Sequence, residues 1–392
     1  MLESNPFPTY RHRGTASAIN KAKRSHRTDL SLTDWVKAGY AADNTLTRLS
    51  KVNKSSVKLA RIDACSIDPE TFYREFLQPG IPVIVSNAIS HWPVMREGRW
   101  ELETLGQRLK HSLMKIGEDD DGRKIKSKFK YFYDYLMCNQ DDSPLYLFES
   151  GFETDLQVSS LLNDFSIPDL FPCDYLNMCG RENRPPHRWF CVGPERSGST
   201  VHKDPVGTSA WNAVTHGRKR WVLFEPHVSK PIARGRKYKV KGEDDEAIHY
   251  FDYLLPRIIA NNPNLEIYEG IQKSGDIIFV PGGWWHGVLN LEHTVAVTQN
   301  YCGPDNFDHV WTRMNRDRPG LCLRWERNLR KYAPPLWKRI KKHLKTNNET
   351  MFPHGETSSD SSDSSASDYS SSDEECDIDW IGCDDVVKRA RN

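Results

Sequence analysis

Three short runs set the fold. Arg220-Trp221-Val222-Leu223-Phe224, Asp276-Ile277-Ile278-Phe279-Val280 and Thr294-Val295-Ala296-Val297-Thr298 are rich in β-branched and aromatic residues and are bounded by Gly, Pro, Asn or Asp. Such side chains pack well on a pleated surface, and turn-formers at both ends hold each run to strand length. Short strands separated by turns predict a sandwich or jelly roll, mainly β, with helices before and after it. Phe307, Val310, Trp311 and Met314 fall at i, i+3, i+4 and i+7 after the last run. That spacing makes one apolar helix face, a packing surface.

The 392 residues allow one large domain with appendages or two to three smaller ones. The chain holds 54 Lys+Arg against 53 Asp+Glu, but ten of the acidic residues lie in 357–385, leaving 43 elsewhere. Near-neutrality therefore conceals a basic body and an acidic tail. The nine cysteines are odd in number and form no CxxC pair, so they read as reduced thiols. No apolar leader opens the chain and no eighteen apolar residues run together, so a soluble intracellular protein is expected, without a membrane span.

Residues 1–30 form a basic, polar arm whose Lys21, Lys23, Arg24 and Arg27 suit a nuclear import signal, a nucleic-acid contact or a solvated flexible segment. Thr357 to Asp377 is mostly Ser, Asp and Glu, which cannot bury enough apolar surface to order itself. Ser359, Ser362 and Ser372 stand beside acids, as an acid-directed kinase requires. Between two of the strands, Glu225 to Gly270 is long for a loop and carries Arg234-Gly235-Arg236-Lys237-Tyr238-Lys239. It reads as a substrate entrance, an RNA contact or a solvated insertion. Lys338-Arg339-Ile340-Lys341-Lys342 is a second import signal or the wet face of a helix.

The chemistry begins at His202-Lys203-Asp204. On an extended chain, residues two apart share a face, so imidazole and carboxylate converge. With 14 histidines in the chain, an HxD pair alone is a weak signal. Eighty-four residues after His202, the apolar strand Ile277–Val280 ends in Pro281-Gly282-Gly283 and delivers His286 beside Trp284 and Trp285. Two His and one Asp are the facial triad that leaves positions open on non-haem Fe(II). Zinc is the chemical rival, since two His and a carboxylate also support hydrolysis, although no HExxH is present. Lys219, in Gly217-Arg218-Lys219-Arg220-Trp221, reads by residue type as a solvated edge; pointing inward, it would neutralise a dicarboxylate. Thr298 and Asn300 share one strand face and can add hydrogen bonds there.

Together, His202 to Ala213 (HKDPVGTSAWNA), Gly217 to Trp221, Val280 to His286 (VPGGWWH) and Thr298-Gln299-Asn300 resemble the JmjC-domain oxygenases. Asp141-Asp142-Ser143-Pro144-Leu145-Tyr146 and Arg184-Pro185-Pro186-His187-Arg188-Trp189-Phe190 fit the branch that combines arginine demethylation with lysyl hydroxylation. The resemblance covers nearly the whole chain. It implies a double-stranded β-helix in which His202, Asp204 and His286 hold Fe(II), with 2-oxoglutarate and O2 as co-substrates. Lys219 and Thr298 would meet the distal carboxylate, and Asn212, Ser199 and Tyr146 would line the same pocket. Ser199 stands where the family has threonine, and keeps the hydroxyl. The organisation expected is an arm over 1–30, a mixed region packing on the core over 31–165, the jelly roll over 166–303, helices over 304–350 and a disordered tail over 351–392. Expected partners are nuclear proteins such as histone tails and Arg/Ser-rich splicing factors, with RNA and a second copy of the chain as further ones. Two other classes stand beside this reading: a nuclear scaffold without catalysis, against which the intact triad argues, and a phosphatidylserine receptor, which needs a membrane span.

Overall fold

The computed structural model describes residues 10–180 and 183–347. Residues 1–9 and the tail over 351–392, with Ser359, Ser362 and Ser372, lie outside the described residues. Six strands precede the core: β1 (Val57–Lys58), β2 (Ala60–Asp63), β3 (Val83–Ser86), β4 (Leu113–Glu118), β5 (Lys124–Lys128) and β6 (Leu147–Glu149). The core is β7 (Arg188–Gly193), β8 (Gly198–His202), β9 (Ser209–His216), β10 (Arg218–Phe224), β11 (Tyr268–Lys273), β12 (Ile277–Val280), β13 (Trp285–Asn290) and β14 (Thr294–Tyr301). The three runs read from the sequence fall in β10, β12 and β14.

One sheet runs β1-β11-β10-β13-β8 and the other β2-β3-β12-β9-β14-β7-β6. Apart from the step from β10 to β11, consecutive core strands alternate between the sheets, and the pairings among them are antiparallel. This is the expected double-stranded β-helix.

The period of two sorts every strand into an inner and an outer face. Inside, Ala210, Ile278 and Val280 of one sheet pack against Trp221, Leu223 and Val288 of the other. Cys191, Val214 and Ala296 fill the opposite end beneath Tyr146, Phe148 and Trp189. The alternate residues Phe190, Trp211, Ile277, Phe279, Val295 and Val297 face outward onto Phe72, Trp92, Trp100 and Phe132 of the N-terminal region. At about 1.5–3 kcal/mol for each fully buried large apolar side chain, this face anchors the N-terminal region to the core.

That region does more than pack. It supplies β1 to the edge of the five-stranded sheet, parallel to β11, and extends the larger sheet through β3 and β6. The outer edges of β11, β12 and β7 are thereby paired, and β8 is left as the one open edge of the core among the described residues.

The arm differs from a flexible segment. Thr15–His26 is a helix with Ile19 and Ala22 buried, and Lys23 forms a 2.6 Å ion pair with Asp141. Arg27 is tied to Asp29 and Asp244, so Lys21 and Arg24 are the exposed cations of this cluster. An amphipathic helix whose ion-pair partner lies 118 residues away reads, locally, as a basic tail.

The segment after β10 also differs from an open loop. Ala247, Ile248, Phe251, Leu254, Leu255 and Ile258 cover the outer face of the five-stranded sheet through Val201, Val222, Phe224 and Leu289. After β14, Phe307, Val310, Trp311 and Met314 are fully buried against Trp325 and Leu329. In the last helix, Pro334–Asn347, Ile340 is buried and Arg339 pairs with Asp308, while Lys338, Lys341 and Lys342 stay exposed.

Candidate active site

His202 ends β8, Asp204 lies two residues on, and His286 faces His202 across the β13–β8 pairing. Asp204 Oδ1 is 3.8 Å from His202 Nε2 and 3.7 Å from His286 Nε2, and the three donor atoms lie within 4.8 Å of one another. An ion at about 2.0–2.2 Å from each donor fits between them. Both rings are held by backbone: the Nδ1 atoms sit 2.7 Å from the Thr200 carbonyl and 3.3 Å from that of Trp284. With Nδ1–H donating to those carbonyls, each Nε2 keeps its lone pair for a metal. Burial, reinforced by the neighbouring His202, holds the His286 imidazole down to about 4, so it is neutral and ligand-competent at physiological pH.

Two turns make this convergence possible. After Asp204, Val206 adopts φ 48°, a left-handed conformation disfavoured for a β-branched residue. The Pro281-Gly282-Gly283 turn closes directly onto this loop: a Cβ on Gly282 would collide with the Gly207 carbonyl. Gly282 N–H also donates to Ser209 Oγ at 3.1 Å. The glycine is required because the loops carrying the ligands touch at that atom.

A β-bulge places Ser199. Val288 pairs with Ser199 and His286 with His202, so two steps on β13 oppose three on β8. Ser199 and His202 therefore share the inner face although they are three residues apart.

The interior next to the triad holds a buried cation. Lys219 is 1% exposed, and its Nζ donates to the Tyr146 hydroxyl at 3.0 Å. Among the described residues no carboxylate forms an ion pair with it. Burial drives its pKa down to about 8, opposed weakly by Cys191. Its neighbour Arg220 faces the other way, in a buried ion pair of 2.5 Å with Glu269. Asn290 stands opposite Lys219 on β13. Asn212 and Thr298 stand opposite each other on β9 and β14, on the facing sheet.

This interior has the features of a ligand cradle. The Oδ1 atoms of Asn212 and Asn290 are buried without a hydrogen-bond partner. A Cβ on Gly193 would come within 2.5 Å of Asn290 Nδ2, 2.6 Å of Ser197 Oγ and 2.7 Å of Tyr146 Cδ2, so only a glycine lets these polar side chains crowd against the strand there. The Lys219 ammonium is the group that fits a carboxylate; the two amide oxygens are acceptors, which a carboxylate cannot satisfy, so each amide would have to meet it through its Nδ2 donor. Thr298 is placed differently from expectation in one respect: its hydroxyl donates to the Trp211 carbonyl at 2.9 Å, so it must turn to donate to a ligand.

Sequence reasoning missed Asn290 and Cys191. Their only signal is register, since Asn290 is the cross-strand partner of Lys219.

Comparison with known proteins agrees with this geometry. The family described as "Cupin-like domain" matches residues 69–307. The chain is 36% identical over 329 residues to the bifunctional arginine demethylase and lysyl-hydroxylase psr-1 of Caenorhabditis elegans, covering 83% of this chain and 80% of that protein. It is 32% identical over 247 residues to the arginine-specific demethylase JMJ22 of Arabidopsis thaliana, covering 62% of this chain and 46% of that protein. With the 2-oxoglutarate and iron-dependent oxygenase JMJD4 of Mus musculus it shares 27% identity over 261 residues, 61% of this chain and 60% of that one. With the double-stranded β-helix, the His-Asp-His cluster and these matches in hand, the chain belongs to the cupin-like family, in its JmjC oxygenase branch.

Proposed function

We propose that this protein is an Fe(II)- and 2-oxoglutarate-dependent oxygenase acting on lysine and methylarginine side chains of other proteins. The observation that carries the reading is Lys219. A His-Asp-His cluster alone serves zinc hydrolysis equally well, but a buried ammonium without a carboxylate partner among the described residues, in the same interior, calls for an anionic co-substrate.

When bound, iron and 2-oxoglutarate together activate O2 to abstract hydrogen from a C–H bond, with succinate and CO2 as co-products. The chain's own residues prepare that chemistry. His202, Asp204 and His286 would hold the metal on one side and leave the other open. Lys219 and Tyr146 would fix the distal carboxylate, with Asn212, Thr298 and Ser199 along its length. The apolar layer of Trp221, Leu223, Ile278 and Val288 keeps water from the interior and strengthens each polar contact.

A hydroxylated lysine carbon is a stable alcohol, whereas a hydroxylated N-methyl group on arginine is a hemiaminal that loses formaldehyde. The activities in the name of the nematode relative support both outcomes here. The finer reading is a nuclear enzyme acting on histone tails and Arg/Ser-rich splicing factors, with RNA contacts through basic segments. Its support is the sequence resemblance, the exposed cations Lys21, Arg24, Lys338, Lys341 and Lys342, and the Ser/acidic tail. Among the described residues no helix is long and apolar enough to cross a membrane.

The test is incubation of purified protein with Fe(II), 2-oxoglutarate and lysine- or methylarginine-bearing peptides, with products read by mass spectrometry. Gain of one oxygen on lysine, or loss of one methylene with release of formaldehyde, is the expected result. Absence of succinate under all these conditions would overturn the oxygenase reading.

A further inference from the structure

At the β8 edge of the sandwich a cavity of about 260 Å³ opens, and it adjoins the site already described through His202 of the triad and through Ser199 and Tyr146 of the cradle. One wall is β8 itself, from Gly198 to the metal ligand His202. Facing it are His26 of the N-terminal helix, Ile116 of β4, the Ser143-Pro144 pair and Glu246 from the helical insertion. The volume is below the ~300–1,000 Å³ usual for small-molecule pockets and suits a single extended side chain.

The chemistry of the wall is graded. Pro144 and Ile116 offer an apolar surface on which methylenes can lie. Glu246 offers a carboxylate, and no Lys or Arg lines the cavity. That carboxylate is only partly engaged: it accepts from Ser143 Oγ at 3.2 Å and from Arg27 Nη1 at 3.4 Å. Arg27 is held more tightly by Asp244 at 2.7 Å and Asp29 at 3.0 Å. A carboxylate has about four lone-pair sites, so Glu246 retains acceptor capacity. His26 adds a second acceptor: with Nδ1–H donating to the Glu118 carbonyl at 2.7 Å, its Nε2 keeps a lone pair.

We infer that this cavity is the subsite for the substrate's cationic side chain, with Glu246 as the residue that selects for positive charge. The methylene stem lies on Pro144 and Ile116, the ammonium or guanidinium meets Glu246, and the carbon to be oxidised is left beside His202. The inference rests on the oxygenase reading above and adds to it the residue that recognises lysine and arginine.

The test uses the full-length enzyme loaded with Fe(II) and 2-oxoglutarate. The KM for a lysine peptide and the inhibition constant of the matched norleucine peptide, which lacks only the ammonium, are measured for wild type, Glu246→Gln and Arg27→Gln. Glu246→Gln should raise the lysine-peptide KM about tenfold or more, as loss of a charge-assisted hydrogen bond predicts, with kcat within about twofold. The preference for lysine over norleucine should shrink by the same factor. Arg27→Gln, which keeps the carboxylate, should leave the preference intact. The inference is overturned if Glu246→Gln keeps the full preference, or if Arg27→Gln reproduces the loss, since Glu246 would then act only by tethering the N-terminal helix. Wild-type protein that turns over no 2-oxoglutarate, with or without peptide, would refute the oxygenase reading and not this assignment.

Discussion

The Lys219 ammonium lies 3.0 Å from the Tyr146 hydroxyl, a neutral oxygen doing a carboxylate's work. Burial keeps the Tyr146 phenol protonated, so it solvates the cation without compensating its charge. Tyr146→Phe removes that oxygen and, with it, a contact to whatever anion Lys219 binds. Steady-state kinetics with 2-oxoglutarate varied should show KM raised about tenfold and kcat little changed. An unchanged KM would remove Tyr146 from the co-substrate pocket.

Lys219→Met should separate stability from function. Replacing a buried, uncompensated charge by an apolar chain of similar shape should stabilise the fold by about 1–3 kcal/mol in urea unfolding. At fixed 2-oxoglutarate the same variant should lose about a hundredfold or more in turnover. A variant both inactive and destabilised would identify Lys219 as a structural residue.

The lowered pKa of Lys219 carries a pH signature. Its folded value is about 8, against roughly 10.4 for an unperturbed lysine. Between these values the unfolded chain binds more protons, so this group makes stability rise with pH across that window; below it, the cost of the buried charge is fully present. Co-substrate binding runs the opposite way, because a carboxylate favours the protonated form. Calorimetric 2-oxoglutarate affinity should be flat below about pH 8 and fall by up to tenfold per unit above it. Affinity that stays flat to about pH 9.5 would contradict the assignment.

The metal centre makes the fourth prediction. His202→Ala and Asp204→Ala should abolish turnover and remove the thermal shift produced by a divalent metal, a shift worth about 2.7 kcal/mol at a hundredfold excess over Kd. Chelation should silence the wild type and Fe(II) should restore it. Full turnover in either variant would mean that the metal lies elsewhere.

The strands and the triad were legible because both depend on local pattern: short β-branched and aromatic runs between turn-formers, an HxD pair and a Pro-Gly-Gly turn shortly before His286. Lys219 was not. In Arg218-Lys219-Arg220 the sequence reads as a solvated edge, yet Lys219 and Arg220 are both buried, on opposite faces. Arg220 is explained by Glu269, 49 residues on, and no local signal announces it. The N-terminal helix was misread for the same reason, since Lys23 needs Asp141. Ser199 reaches the inner face through a bulge, which one strand's sequence does not encode. Long-range partners and register slips are properties of the folded pair.

On β10, Leu223 stands opposite His286 and Lys219 opposite Asn290. Four residues of strand, about 13 Å at 3.3 Å each, therefore separate the rung that carries the metal ligand from the rung that carries the ammonium. With the imidazole reaching in from one rung and the lysine chain from the other, the strand pairing acts as a ruler for the molecule laid between them. On the reading proposed above, a shorter 2-oxo acid would grip one end of that span but not both. The distance between the two rungs is thus set by the β10–β13 backbone hydrogen bonds, while the side chains of Lys219 and His286 set only how far each end reaches into it.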